Sequence, residues 1–176
     1  MQNCPQTETQ SVYDHGISVW EYSKKLISGQ HEIFKLPDLF KQYQVDIINN
    51  MVDIETYRKY VVYHDCGKPY CIEYDSEGRK HFSNHAEVSK NVWSQLYPEE
   101  KLVSELIGLD MVMHTSKADL LDTLSRQIAC TLIISALSEL HSNANMFGGI
   151  DSVSFKIKYK ALEKRIKFLI NKWFIT

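Results

Sequence analysis

Apolar residues recur every three or four positions along most of this chain, a spacing that predicts α-helices in nearly every segment. Capping residues, glycines and prolines mark the ends of these segments. The seven predicted helices span about residues 11–28, 37–49, 53–67, 83 or 84 to 96, 98–114, 117–143 and 152–174. The expected fold class is therefore all-α.

Residues 71–82 depart from the helical spacing. Two short runs, Cys71-Ile-Glu-Tyr-Asp and Arg-Lys-His-Phe, are separated there by Ser-Glu-Gly. This pattern predicts a short β-hairpin with Gly78 in its turn. We expect the hairpin to be the only β structure.

A chain of 176 residues and 20.5 kDa is long enough for one domain and short for two. We expect a tail at residues 1–10 and a single helical-bundle domain at 11–176. The formal net charge of −2 argues against wholesale binding to duplex nucleic acid. The lysines of the last predicted helix spread around several faces, so they do not form a stripe for phosphates either.

No stretch of the sequence approaches ~18 consecutive apolar residues, and the N-terminus has neither a basic start nor an apolar run. The four cysteines lie at irregular spacings, in a chain long enough to hold its fold by packing. We therefore expect reduced cysteines and a cytoplasmic protein that does not enter a membrane.

Four histidines each lie near the inward stripe of a different predicted helix: His15, His64, His85 and His114. A single histidine in such a place is usually a core residue with a hydrogen-bond partner. Four are harder to explain separately, because each buried imidazole needs partners for its nitrogens and a shared metal ion satisfies several at once.

Carboxylates accompany these histidines. Asp65 follows His64 directly, and Glu139 falls on the inward stripe of the helix predicted at 117–143. A buried and unpaired charge at this position would destabilise the folded state by a free energy on the order of several kcal/mol. Nitrogen and carboxylate ligands suit Mn²⁺, Fe, Co²⁺, Ni²⁺ or Zn²⁺ better than Ca²⁺, and Mg²⁺ is also compatible. The sequence thus predicts a site for a divalent metal ion.

Three runs carry a resemblance to a known superfamily: Asp14-His15-Gly16-Ile17-Ser18-Val19, Tyr63-His64-Asp65-Cys66-Gly67-Lys68-Pro69 and His81-Phe82-Ser83-Asn84-His85-Ala86-Glu87-Val88-Ser89. With the later histidine and acid, they resemble the HD-domain superfamily of metal-dependent phosphohydrolases over roughly residues 11–145. The His-Asp-x-Gly-Lys-Pro run, the hairpin and the Phe-x-x-His-x-x-x-Ser run are similar to the HD module of bacterial tRNA nucleotidyltransferases and its stand-alone relatives.

The resemblance implies an HD-type helical bundle with a metal site. The ligands that it implies are the first histidine, the central His-Asp pair and the two extra histidines of members with two ions: His15, His64, Asp65, His85 and His114. The superfamily usually places an aspartate last, on a late helix. Here the last acidic ligand is Glu139, or else Asp110, which shares a helix face with His114 at i, i+4.

The chemistry that the resemblance implies is metal-assisted hydrolysis of a phosphate ester, in which Asp65 takes part. Lys68 lies just beyond the His-Asp pair, where it can hold a phosphate as a point charge or be a solvated lysine at a helix C-terminus. Ser89 and Lys117 are further candidates for substrate binding. Ser89 can equally be a packing residue, and Lys117 can simply start a helix.

The expected substrate is a nucleotide or an RNA end, cleaved as a phosphomonoester or a phosphodiester. No Gly-rich loop for a triphosphate occurs in the sequence. The alternative is an HD module without catalysis that binds a nucleotide or a partner protein.

Overall fold

The computed structural model of the protein describes residues 1–7, 9–116 and 118–175. Over these residues the fold is all-α with a short antiparallel hairpin, as the hydrophobic spacing predicts. The helices are α1 (Val12–Ile27), α2 (Asp38–Asn50), α3 (Ile54–Tyr63), α4 (His85–Leu96), α5 (Lys101–Gly108), α6 (Val112–Thr115), α7 (Ala118–Thr123), α8 (Arg126–Ser142) and α9 (Val153–Phe174). None of the helices in these ranges combines the length and the apolar character needed to cross a membrane.

The chain groups into two compact units. The first unit comprises Met1–Ser18 and Ile54–Asp110. The second comprises Val19–Asp53 and the chain from Met111 onward. The N-terminal residues expected to form a tail belong to the first unit, where Cys4 is buried and its carbonyl accepts the Val12 N–H at 2.8 Å.

In the first unit, α5 packs against both α3 and α4. Helix α3 contributes the buried side chains of Tyr57, Tyr60 and Val61 to this core. A short 3₁₀ turn at Lys68–Tyr70 follows α3 and contacts α4. These contacts bring the segment around His64 against the start of α4.

The predicted hairpin is confirmed. Strands β1 (Ile72–Tyr74) and β2 (Lys80–Phe82) pair in antiparallel register. Gly78 lies in the connecting turn with φ of +73°, a conformation that residues with a Cβ rarely adopt.

The second unit is built around α8, which packs against α2, α6 and α9. Every residue from Ile128 to Leu140 except Glu139 is buried, so neighbouring elements cover this helix on nearly all sides. The Ser125 side chain caps it by accepting the Ile128 N–H. Helix α9 supplies the covering apolar face with Phe155 and Leu162 among its buried residues.

The predicted end of the third helix is wrong. Helix α3 ends at Tyr63 and not at Gly67, because the chain tightens into successive i→i+3 turns, with Cys66 N–H donating to Tyr63 O and Lys68 N–H donating to Asp65 O. The His-Asp pair therefore lies in a turn directly after the helix.

Two further predicted helices are each divided into two. The segment predicted at 98–114 contains α5 and α6, since the chain turns after Gly108. The segment predicted at 117–143 contains α7 and α8, since Ser125 caps a new helix there. The helical class was predicted correctly, and these interruptions account for the larger number of helices.

Two glycines permit close backbone contacts in the first unit. A Cβ on Gly16 would lie 2.1 Å from the Val62 carbonyl oxygen, and a Cβ on Gly67 would lie 2.3 Å from the Ser89 nitrogen. Both neighbours are backbone atoms, which cannot move aside as a side chain can. The glycines thus let α1 and the turn after α3 approach their neighbours closely.

We predict that Gly16→Ala lowers the free energy of unfolding by about 3 kcal/mol, because the added methyl group overlaps the Val62 carbonyl. Gly108→Ala is the matched control, since the added Cβ meets only the flexible side chain of Lys90. That control should change the stability by less than about 1 kcal/mol. Urea denaturation followed by circular dichroism measures both, and equal stability of the two variants would contradict the close packing at Gly16.

Candidate metal centre

The side chain of Asp65 is 1% exposed and lies at the centre of a cluster of nitrogen atoms. Its Oδ2 is 2.6 Å from Lys68 Nζ, 3.2 Å from His64 Nε2 and 3.7 Å from His15 Nε2. All four side chains belong to the first unit and are buried. This cluster joins His15, His64 and Asp65, which the sequence predicts as metal ligands.

Local structure places each of the three predicted ligands. His15 lies on the buried face of α1 and is fully buried, while His64 and Asp65 occupy the turn after α3. The two imidazole rings meet edge to face, with centroids 5.2 Å apart. One ligand atom from each of the three residues lies within 4.8 Å of the others, a spacing that lets them hold a single metal ion.

A backbone carbonyl orients the ring of His64. Its Nδ1 lies 2.8 Å from the carbonyl oxygen of Val61, and a carbonyl can only accept, so Nδ1 carries the hydrogen. The other nitrogen, Nε2, then faces Asp65 Oδ2 with its lone pair when the ring is neutral. Two lone pairs repel at 3.2 Å, so this position calls for a proton or a metal ion between them. A metal-bound histidine usually donates the hydrogen of its opposite ring nitrogen to a backbone carbonyl or a carboxylate in this way.

His85, at the start of α4, shows the same arrangement on the other side of Asp65. Its Nδ1 lies 3.1 Å from the carbonyl oxygen of Phe82, and its Nε2 lies 3.7 Å from Asp65 Oδ1. That carboxylate oxygen is buried and accepts no hydrogen bond from any residue that the structure describes. A buried, unsatisfied carboxylate oxygen beside an imidazole nitrogen is what a bound cation would resolve.

The charges around Asp65 keep it ionised. Burial raises the pKa of its carboxyl group, but His64, Lys68 and His15 together lower the pKa by more, so that it lies well below its usual range. Asp65 is therefore a carboxylate throughout the neutral pH range, the form in which it can bind a metal.

Asp110 is the acidic candidate that lies in the same unit as this cluster. It is buried, and the Tyr60 hydroxyl donates to its Oδ1 at 2.7 Å. A carboxylate oxygen of Asp110 also lies within 4.8 Å of a ring nitrogen of His64. Asp110 is thus placed as a neighbour of the predicted ligands.

His114 and Glu139 belong to the second unit, where they pair with each other. His114 Nε2 lies 3.0 Å from Glu139 Oε2, and both side chains are partly exposed. Their role as ligands stays a prediction, as does the choice between Glu139 and Asp110 for the last acidic ligand.

Lys68 is not the solvated lysine that one of the two interpretations expects. Its side chain is buried, its Nζ donates to Asp65 Oδ2 and to Gln6 Oε1 at 3.1 Å, and it lies 5.1 Å from the centre of the Phe82 ring. The structure thus fixes the lysine charge beside the predicted ligands. Its role toward a phosphate stays a prediction.

Of the other two predicted substrate-binding residues, Ser89 and Lys117, the structure describes only Ser89. Ser89 is fully buried, and its Oγ accepts the Gly67 N–H at 2.9 Å, which agrees with a packing role. Lys117 lies outside the described residues.

The donor set fits a divalent transition metal. Two imidazole nitrogens and a carboxylate suit Mn²⁺, Fe²⁺, Co²⁺, Ni²⁺ and Zn²⁺. The three candidate ligand residues are nearly inaccessible to water, and two backbone carbonyls orient the rings of His64 and His85. Buried His, Asp and Glu clusters of this kind can hold a metal ion.

Comparisons of this chain with protein-family models, with curated proteins and with solved structures find no match. Membership of the HD superfamily therefore stays a prediction that rests on the three sequence runs.

Sequence reasoning did not find two partners of the site. Gln6 lies in the segment expected to be a tail, and Tyr60 has the pattern of a core aromatic residue. The spacing of Tyr60 four residues before His64 places both near one helix face, which is the one available signal. No local pattern connects Gln6 to Lys68, because that contact spans 62 positions.

We predict that the purified protein binds about one or two divalent ions per chain, and that His64→Ala and Asp65→Asn each lower the affinity at least about tenfold. Each variant removes a ligand atom from the buried cluster. The measurement is elemental analysis by mass spectrometry after dialysis against Mn²⁺ or Zn²⁺.

His81→Ala is the matched control, because His81 is an exposed histidine of the hairpin whose Nε2 contacts Asp75. It should retain the metal content of the parent protein. Full metal retention by the double variant His64→Ala/Asp65→Asn, with an unchanged circular dichroism spectrum, would rule out the site.

Proposed function

We propose that this protein is a metal-dependent phosphohydrolase of the HD type that hydrolyses the phosphate ester of a nucleotide or an RNA end. The observation that carries the proposal is the buried cluster of His15, His64 and Asp65, with ligand atoms within 4.8 Å of one another. The same three residues hold the first positions of the motif that resembles the superfamily.

In this proposal, His15, His64 and Asp65 hold the ion. A divalent ion held by these residues would supply a nucleophile near neutral pH by acidifying water, and it would offset negative charge on the phosphoryl oxygens. The Val61 carbonyl keeps His64 in the tautomer whose Nε2 is a ligand. Burial of the cluster strengthens each of these electrostatic interactions.

Lys68 is proposed to bind the substrate. Its ammonium group is held beside the cluster by Asp65, Gln6 and the Phe82 ring, so its charge is in place before a phosphate arrives. A preorganised cation next to a developing negative charge lowers the barrier without reorganisation. Lys68 thus holds a non-bridging phosphoryl oxygen.

The remaining predicted ligands are proposed to complete the site or to bind a second ion. His85 faces the second oxygen of Asp65, and Asp110 lies near His64. His114 and Glu139 are the further candidates from the sequence.

The proposed substrate is small, and the proposed place of action is the cytoplasm. A buried cluster recognises one phosphate group, whereas internal cleavage of a long nucleic acid favours an extended basic groove. The chain has a net charge of −2, and we propose no binding to extended duplexes.

One observation favours the second candidate function, a module that binds a nucleotide or a partner without catalysis. Lys68 Nζ lies 2.6 Å from Asp65 Oδ2, so the lysine by itself balances the buried carboxylate charge. In this alternative the cluster is a structural ion pair with two neighbouring histidines.

We predict metal-dependent hydrolysis in a screen of nucleoside monophosphates, 2′,3′-cyclic phosphates, cyclic dinucleotides and deoxynucleoside triphosphates with Mn²⁺, Co²⁺, Ni²⁺, Mg²⁺ and Zn²⁺. Lys68→Met should lower turnover by about 100-fold, because it removes a preorganised charge. The metal content of this variant should stay unchanged.

Lys80→Met is the matched control, since Lys80 lies over the same Phe82 ring at 5.2 Å but forms no ion pair with Asp65. It should keep the turnover of the parent protein within about threefold. Hydrolysis that is equally fast in the parent protein, Lys68→Met and Asp65→Asn would contradict the catalytic proposal. Metal binding without hydrolysis of any substrate would favour the binding module.

A further inference from the structure

The second unit contains a cavity of about 340 Å³, a volume in the range of small-molecule sites. Its walls come from α8, α9 and the segments that precede and follow α8 in the chain. Most of the lining is apolar, from Met111, Met113, Leu140, Phe147, Ile157 and Leu162. Ile157 is 66% exposed although it lines the cavity, so part of the apolar wall is open to solvent.

Arg165 adds a fixed positive charge to this apolar cavity. Its Nε donates to the carbonyl oxygen of Ser116 at 3.1 Å, which sets the plane of the guanidinium group. In the described part of the chain, its two terminal nitrogens have no hydrogen-bond or ion-pair partner. When Nε of a guanidinium group is engaged, its two terminal nitrogens can still donate a pair of hydrogen bonds to a carboxylate or a phosphate.

Lys158 adds a second cation. Its Nζ lies 4.8 Å from the centre of the Phe147 ring, which holds the ammonium group at the cavity wall. Over the described ranges it has no carboxylate partner. Neither of the two cations that line the cavity thus forms an ion pair with a carboxylate of the described residues.

The spacing of these cations on α9 leaves room between them. Lys158 and Arg165 are seven residues apart, so they lie on one face of the helix about 10 Å apart along its axis. Ala161 lies between them on the same face and also lines the cavity. The small side chain of Ala161 leaves a gap in which an apolar group can lie between two positive charges.

The one acid of the lining is already paired. Glu139 Oε2 lies 3.0 Å from His114 Nε2, which reduces its repulsion of an anion. Besides Glu139 and its partner His114, Asn143 is the one polar side chain of the described lining without a fixed charge. The cavity therefore offers positive charge and apolar surface. It has few side chains that could form specific hydrogen bonds with an uncharged polar part of a ligand.

From this lining we infer that the second unit binds an amphipathic anion, with an apolar or aromatic body and one oxyanion head held by Arg165 and Lys158. The volume fits a body of about ten heavy atoms, such as a bicyclic ring or a short acyl chain. The inference concerns the second unit alone and does not depend on phosphohydrolase activity in the first.

Isothermal titration calorimetry with four probes tests this site: 2-naphthoate, 2-naphthylphosphonate, neutral 2-naphthamide and inorganic phosphate. The phosphonate replaces a phosphate ester because it resists hydrolysis. Both naphthyl anions should bind, at least about tenfold more tightly than the amide, because only they meet the two cations. Inorganic phosphate should bind at least about tenfold more weakly than the phosphonate, because it lacks the apolar body.

Variants locate the binding. Arg165→Met should weaken naphthyl-anion binding at least about tenfold, whereas Lys164→Met, which removes a neighbouring exposed charge outside the cavity lining, should leave it unchanged. Ala161→Trp fills the gap between the cations and should abolish binding. Ala161 is exposed, so this variant should fold, and its thermal unfolding midpoint checks that it does.

Tighter binding of the phosphonate would specify phosphate esters, and tighter binding of the carboxylate would specify carboxylic acids, both within the inferred class. Equal affinity for the amide and the anions would overturn the inference. So would undiminished binding by a folded Ala161→Trp variant, or an equal loss in Lys164→Met and Arg165→Met.

Discussion

The first unit depends on how the charge of Asp65 is balanced away from water. The side chain of Asp65 is 1% exposed, and a carboxylate so buried would destabilise the fold by a free energy on the order of several kcal/mol if nothing compensated its charge. Lys68, His15 and His64 surround one of its two oxygens. The other oxygen has an imidazole at 3.7 Å and no hydrogen bond from the described residues. This uneven arrangement distinguishes the cluster from a closed ion pair, in which both oxygens would be satisfied.

Backbone packing makes this arrangement possible. Gly16 follows His15, and Gly67 lies two residues after Asp65; each lets the chain approach another backbone more closely than a Cβ would permit. The same turn ends α3 one residue before His64, so that a histidine and an aspartate adjacent in the sequence face one another through their side chains. The two glycines, which have no reactive side chain, therefore set the positions of the neighbouring histidines and of Asp65.

The fold class and the burial of His15 and His64 could be predicted because both follow from the apolar spacing, whereas the role of these residues and of Asp65 as metal ligands stays a prediction. His15 occupies an inward position on a regular helix, and the hairpin follows from its turn residues and the break in helical spacing. The end of α3 could not be predicted, because apolar spacing continues through a turn as it does through a helix. Lys68 was expected near the site, but its burial depends on contacts with Gln6 and Phe82 that no local pattern reveals. Likewise, Lys158 and Arg165 are two of the basic residues of the last predicted helix, whose spacing singles out neither, and only the packing of α9 shows that they line a cavity.

The most direct test of the metal centre is anomalous X-ray diffraction from crystals of the protein grown with Mn²⁺. We predict an anomalous peak about 2.0–2.3 Å from ligand atoms of His15, His64 and Asp65. A map in which manganese occupies another site, while Asp65 stays paired with Lys68 and no peak lies beside the two histidines, would contradict it. The cluster would then be a structural ion pair, and the metal ion that the proposed hydrolysis needs would have no binding site there.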